Sequence, residues 1–174
     1  MTSSPSGADG FADFTVFDLM TFDRSWGRFG IGVSGTLPTG ADGLTLDKWT
    51  AGPALGFVNS SVKKVNWGLF AQTFFSYAGD DDAPDVGIIN LQPVLSYQLG
   101  KGRSLSVGNS ALVYDTERSR WSSLLVSVNY GFVVGWAGQK WRPNFEVGYD
   151  LKDDPGNQEW VLRAGVALLV PAAR

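Results

Sequence analysis

The sequence predicts an all-β fold, an antiparallel up-and-down transmembrane β-barrel, and three observations carry that prediction. Nine segments of about ten residues alternate apolar with small or polar side chains, which is the period-two pattern of a strand. All seven Trp residues fall at segment ends, where a barrel meets the two membrane interfaces. The connections alternate between short and long, and their charge alternates with their length. A soluble β protein also alternates, but it has little reason to set indole rings at both ends of its strands.

Taken in order, residues 1–10 are rich in Ser, Gly, Thr and Pro and read as a flexible tail, followed by a first strand over 11–24. In 28–38, Phe29, Ile31, Val33 and Leu37 share one face, against Gly30, Gly32 and Ser34 on the other. In 49–59, Trp49, Pro53, Leu55 and Phe57 oppose Thr50, Gly52 and Gly56. The segment 65–77 alternates from Trp67 to Tyr77. In 86–99, Ile89, Leu91, Leu95, Tyr97 and Leu99 oppose Asn90, Gln92, Ser96 and Gln98. Strands at 103–114 and 121–134 follow. In 141–151 the odd positions are aromatic or apolar and the even ones polar or Gly. In 159–170, Trp160, Leu162, Val166, Leu168 and Val170 oppose Arg163 and Gly165. The apolar faces are assigned to lipid. A charge facing lipid at mid-bilayer costs roughly 2–4 kcal/mol, so Glu146 and Arg163 are expected to point inward. Pro53 and Pro93 lie inside strands, where each removes a ladder donor and should mark an edge or a bulge.

Short turns are expected near 25–27, 60–64, 100–102 and 137–140, and longer loops at 39–48, 78–85, 115–120 and 152–158. The short turns and their flanks carry Arg24, Arg28, Lys63, Lys64, Lys101, Arg103, Lys140 and Arg142. The long loops carry Asp42, Asp47, Asp80, Asp81, Asp82, Asp85, Asp115, Glu117, Asp153 and Asp154. Bacterial barrels have short periplasmic turns and longer extracellular loops. Complete single-chain bacterial barrels also have even strand numbers and periplasmic ends. Nine strands therefore mean that a strand is miscounted or an N-terminal part is missing, and the lack of a signal-peptide pattern after Met1 favours the second.

Composition narrows the function classes. The 174 residues suffice for one domain. The chain has no His and no Cys, which removes Ser-His, Cys-His and His-metal chemistry together with disulfides. A net charge of −3 argues against nucleic-acid binding. No run of about twenty apolar residues occurs that would form a membrane helix. No catalytic constellation and no cofactor motif remain, so the chain is not expected to be an enzyme; Gly-Asn-Ser and Gly-Lys-Gly fragments read as turns.

Candidate site residues are of three kinds. Arg142, Glu146, Asp150 and Arg163 fall on the inferred lumen faces of the last two strands, either as a charged constriction or as ion pairs that hold the interior, the second being favoured. Gln72, Asn90, Gln92 and Asn129, with Asn66, would add neutral lining. The acidic residues Asp80, Asp81, Asp82 and Asp85 are a weak candidate for a hard cation, and a solvated turn explains them as well. Trp26, Trp49, Trp67, Trp121, Trp136, Trp141 and Trp160, with Tyr77 and Tyr97, read as an interfacial girdle. Tyr130 lies mid-strand and is an exception.

Several segments together resemble a known family. They are Gly30-Ile31-Gly32-Val33 with Leu37-Pro38-Thr39-Gly40, and Trp49-Thr50-Ala51-Gly52-Pro53. The most specific are Tyr77-Ala78-Gly79-Asp80-Asp81-Asp82-Ala83-Pro84-Asp85-Val86 and Leu91-Gln92-Pro93-Val94-Leu95-Ser96-Tyr97, and Glu159-Trp160-Val161-Leu162-Arg163 completes the set. Across residues 9–171 the chain resembles the bacterial outer-membrane "MetA-pathway of phenol degradation" family, also described as neuromedin U-like or transporter proteins. The resemblance implies an outer-membrane barrel of about twelve strands, credited with moving small, often hydrophobic or aromatic, compounds. It implies that this chain is an N-terminally truncated member. Members often end in an aromatic before Pro-Lys, whereas this chain ends Val170-Pro171-Ala172-Ala173-Arg174.

The expectation is a barrel domain over 11–171, with a C-terminal tail at 172–174. It would sit in the bacterial outer membrane and meet lipid and a small-molecule solute. Two alternatives stay open: a cell-surface barrel with a plugged lumen, and a soluble barrel that binds an apolar ligand inside. The last requires the apolar faces to point inward.

Overall fold

The structure is a computed structural model that describes residues 2–3, 9–41, 43–152 and 160–170. Alternating side chains give extended backbone throughout, and among the described residues there is no helix. A small ladder pairs β1 (Thr2–Ser3) with β2 (Asp9–Gly10), within the stretch read as a tail. The main sheet is built from β3 (Phe14–Arg24), β4 (Gly27–Leu37), β5 (Lys48–Asn59), β6 (Val65–Gly79) and β7 (Gly87–Gly100). It continues with β8 (Arg103–Val107), β9 (Ala111–Asp115), β10 (Arg120–Phe132), β11 (Val134–Trp136), β12 (Gln139–Asp150) and β13 (Trp160–Leu169).

Every ladder is antiparallel, and the chain meanders from β3 at one edge to β13 at the other. All nine expected strands are present. Two of them are interrupted: 103–114 breaks at 108–110, and 121–134 breaks at Val133. An odd number of passes makes β3 and β13 run in the same direction, and no ladder joins them among the described residues. Asp42, Asp153, Asp154 and the 172–174 tail lie outside the described residues.

Two expectations about the connections are corrected. The 116–119 connection is shorter than the 60–64 turn, because β9 and β10 continue their ladder to the Arg120–Asp115 pair. Charge also sorts less cleanly than the acidic residues suggested, since Arg118 lies in that same connection and Lys48 reaches Asp85 at 3.3 Å beside the 80–86 loop.

The sheet curls where β4, β5 and β6 meet, and the β5–β6 ladder is interrupted there at Pro53. The β5–β6 register runs Ala51↔Phe75, then resumes at Ala54↔Gln72. The two missing pairs are those that need an N–H from Pro53 to the Thr73 carbonyl. Ser34 on β4 supplies the donor instead: its hydroxyl reaches across β5 to the Thr73 carbonyl at 2.9 Å. The crossing is open only because residue 52 is Gly, since any Cβ there would collide with Thr73. The Thr73 hydroxyl in turn donates to the Pro53 carbonyl at 3.0 Å. The same curl brings Phe17 on β3 within 5.7 Å of Phe70 on β6, ring centre to ring centre. Pro93 is accommodated differently. It pairs with Leu69 on β6, and its other side faces the break between β8 and β9, where no ladder needs its donor.

The two faces of the sheet differ in kind. On the convex face Leu55, Phe145 and Leu162 are 52%, 56% and 79% exposed. Among the described residues Ala54 is the one fully buried hydrophobic residue, while Ser34, Thr36, Thr50, Gln72, Ser104, Ser127 and Glu146 are buried. The accessible surface of 11744 Å² exceeds the roughly 8,300 Å² of a compact monomer of this 18.8 kDa mass. A single curled layer leaves the apolar convex face open, and a second sheet that would bury that face is absent among the described residues.

Candidate functional site

The strand registers place Gln72, Asn90, Gln92, Asn129, Arg142, Glu146, Asp150 and Arg163 on one face, the concave one. Gln72 pairs with Asn90 across β6–β7, and Phe70 with Gln92. Asn129 pairs with Glu146 across β10–β12, and Glu146 with Arg163 across β12–β13. Ser96, Ser106 and Asn129 link the two halves through β8. Residues that are far apart in the chain thus share a surface because alternation is kept through each ladder.

Glu146 is the centre of this surface. Its side chain is 2% exposed and accepts from Arg163 Nη1 at 2.8 Å. Asn109 clamps both carboxylate oxygens, donating from its backbone N–H and from Nδ2, each at 3.0 Å. The Ser127 hydroxyl lies alongside. Burying a carboxylate is costly unless it is paired and hydrogen-bonded, and here several donors converge on it. Asn109 reaches Glu146 because the chain leaves the ladder at 108–110. Gly108 donates to the Ser127 carbonyl at 2.9 Å, and a Cβ on Gly108 would press on the Glu146 carboxyl carbon and the Ser127 hydroxyl. Ser110 holds the other side of the break, accepting from the Ser127 N–H at 2.7 Å.

The sequence reading of Gly108-Asn109-Ser110 as a plain turn is thereby corrected. The turn-like composition was visible, but nothing local indicated that Asn109 would meet a residue 37 positions away. Nor do the four charged residues form one cluster. Arg163 pairs with Glu146, whereas Arg142 donates to the Ser104 hydroxyl at 2.9 Å. Asp150 accepts from the Ser123 hydroxyl at 2.7 Å and from the Leu124 N–H at 2.9 Å. Asn66 donates to Ser96 at 3.4 Å, and Asn90 Oδ1 is buried with no partner among the described residues.

The acidic run is used locally. Asp80 accepts from the Asp82 N–H at 2.9 Å, and Asp85 takes the Ser76 hydroxyl at 3.1 Å as well as Lys48. Among the described residues no three acidic groups gather as a metal site would require. Asp80 and Asp85 are thus engaged in local bonds of the 80–86 loop.

Each Trp stands within three residues of a strand end or in a turn. Trp26, Trp67, Trp136 and Trp141 lie at the short-turn end, and Trp49, Trp121 and Trp160 at the opposite end. Six of them make aromatic contacts there: Phe57 with Trp26 and Trp67, Trp136 with Trp141, Tyr114 with Trp121, and Tyr149 with Trp160. Tyr130 sits among Phe132 and Phe145 on the convex face. Asp18, mid-strand on β3, puts a charge on that face: it pairs with Val33 and is exposed.

The concave face is not polar throughout. Near the short-turn end of β3 to β7 it forms an open groove of about 600 Å³. Leu19, Val58, Phe70 and Val94 supply apolar walls, and Thr21, Asp23, Arg28 and Ser60 stand at one side. Asp23 accepts from Arg28 Nε at 2.6 Å.

Comparisons with protein-family models, curated proteins and solved structures found no match.

Proposed function

We propose that the protein is an outer-membrane β-barrel that passes small, apolar or aromatic compounds, as members of the family it resembles are credited with doing. The observation that carries this reading is the inverted distribution of side chains. Apolar residues are exposed on the convex face, and buried positions are polar. In water, exposing such a face is unfavourable by roughly 25 cal/mol per Å²; against acyl chains the penalty vanishes. Strands of 10 to 15 residues, in β13 and β6 for example, are long enough to cross hydrocarbon at a barrel tilt. Aromatic side chains at both strand ends fit the two interfaces. Since hydrocarbon offers no hydrogen bonds, the edges of β3 and β13 must both be met by other strands in the membrane.

The test is reconstitution of the full chain in liposomes. Planar-bilayer recording should show discrete conductance steps, and swelling assays should show faster entry of small neutral solutes. A protein that stays soluble and monodisperse without detergent would refute the membrane assignment. Tight insertion with neither conductance nor solute entry would refute transport.

A further inference from the structure

From the charges of the concave face we infer that Arg142 binds a small oxyanion, of carboxylate or phosphate type, at the short-turn end of the sheet. The acids of that face are already satisfied. Glu146 is held by Arg163 and Asn109, Asp23 by Arg28 and Asp115 by Arg118. Asp150 takes the Ser123 hydroxyl and the N–H groups of Leu124 and Lys152. Arg142 is exposed, and its partner among the described residues is a neutral hydroxyl, that of Ser104. Glu146, the nearest acid along β12, lies four residues on, about 13 Å in extended chain, and is engaged by Arg163.

The guanidinium is held in place. It lies over Gly131, where an added Cβ would stand 3.2 Å from Nε and 3.4 Å from Nη2, closer than side chains ordinarily pack. A glycine weakens a strand and is usually present because another group needs the room; here that group is the guanidinium. Nη2 donates to the Ser104 hydroxyl at 2.9 Å, and Ser104 is itself buried on β8. Of the five N–H donors of an arginine, one is spent on fixing the plane and the rest of the fork faces the lumen side. Such a planar fork matches a carboxylate or a phosphate, which can accept two parallel N–H bonds. The field at this end acts in the same sense. Lys63, Lys64, Lys101, Arg103 and Lys140 stand in or beside the short turns, whereas Asp23, the acid at that end among the described residues, is paired with Arg28. Charges of one sign around a mouth concentrate counter-ions there. Lys140 precedes Arg142 by two residues on β12, and so shares its face.

This inference rests on the proposed function in reading the concave face as the lumen, yet its test does not depend on transport. The full chain is refolded in a non-ionic detergent with nitrogen labelling. It is titrated with sodium acetate and, separately, with sodium phosphate, sodium chloride holding the ionic strength constant. The Nε signal of Arg142 and the amide signals of Gly131 and Ser104 should shift and saturate with at least one of the two oxyanions, and the tighter one names the class. Followed at the two amides, Arg142→Gln should weaken binding tenfold or more. Arg142→Lys keeps the charge without the fork and should weaken it several-fold; it serves if Arg142→Gln does not fold. Gly131→Ala, which pushes the guanidinium aside, should weaken it as well. Shifts that saturate with neither anion would overturn the site. Unchanged affinity in a folded Arg142→Gln, Arg142→Lys or Gly131→Ala protein would do the same. Binding without conductance would sink the transport reading alone, and conductance without binding would sink the site alone.

Discussion

Ser34 and Pro53 should be energetically coupled, although they lie on different strands and Ser34 bonds neither the proline ring nor its carbonyl. Ser34→Ala removes the hydroxyl that serves the Thr73 carbonyl at 2.9 Å. Ser34 is buried, so the carbonyl is left without a donor and water cannot readily replace it. An unsatisfied buried acceptor costs about 1–3 kcal/mol. Pro53→Ala restores the N–H that the antiparallel ladder directs at that same carbonyl. The gain of one ladder bond, about 1 kcal/mol, is offset by the looser unfolded chain, about 0.4–1 kcal/mol, so Pro53→Ala alone should be nearly neutral. In its background Ser34→Ala should cost only about 0.5 kcal/mol, giving a coupling of about 0.5–2.5 kcal/mol. Urea unfolding of the full chain in detergent micelles, followed by Trp fluorescence, measures all four corners of the cycle. An equal cost of Ser34→Ala in both backgrounds would refute the account of how the gap at Pro53 is filled.

Four further outcomes are expected. Glu146→Gln should cost about 2–4 kcal/mol, because Asn109 and Arg163 donate to a charge that is no longer there. Arg163→Met should cost less, about 1 kcal/mol, because Arg163 is partly exposed and the carboxylate keeps Asn109 and Ser127; the reverse order in the same unfolding assay would show that the ion pair, not the Asn109 clamp, holds the break. Asp18→Leu should raise stability in lipid by about 1 kcal/mol or more if the convex face of β3 meets acyl chains, and a loss on vesicle refolding would contradict that contact. Asp13 receives the N–H groups of Gly40 and Leu46 at 2.9 and 2.7 Å. Partial burial pushes its pKa up, but these bonds, with Thr45 and Thr39, outweigh it and hold the group below the ordinary 3.8. The stabilisation is therefore present above the unfolded-state value and lost as pH falls through the lower folded one. Hydrogen exchange at Gly40 and Leu46 should accelerate only in that acidic range, and in Asp13→Asn it should be fast at every pH; pH-independent protection in the native chain would count against it.

The strand plan was legible because alternation is a local property. A residue's face follows from whether its number is odd or even, so Phe145 and Glu146 could be placed on opposite faces without knowing any partner. The same rule placed Arg163 with Glu146. It misled at 103–114, where the pattern continues through Gly108-Asn109-Ser110 while the backbone leaves the ladder. It also missed the apolar groove, because Leu19, Val58, Phe70 and Val94 come from different strands and each sits among small or polar neighbours on its own face. The two prolines looked like defects in sequence. In the structure one is answered by Ser34 across a glycine, and the other faces a gap in the ladder.

The amino-acid order alone determined which segments are extended, which side chains share a face and where the aromatic ends fall, since steric alternation needs only a residue's immediate neighbours. Tertiary structure decided which polar groups meet, where the ladder breaks and how tightly the sheet curls. Those outcomes depend on register between strands tens of residues apart, and a shift of one position would turn every contact to the other face.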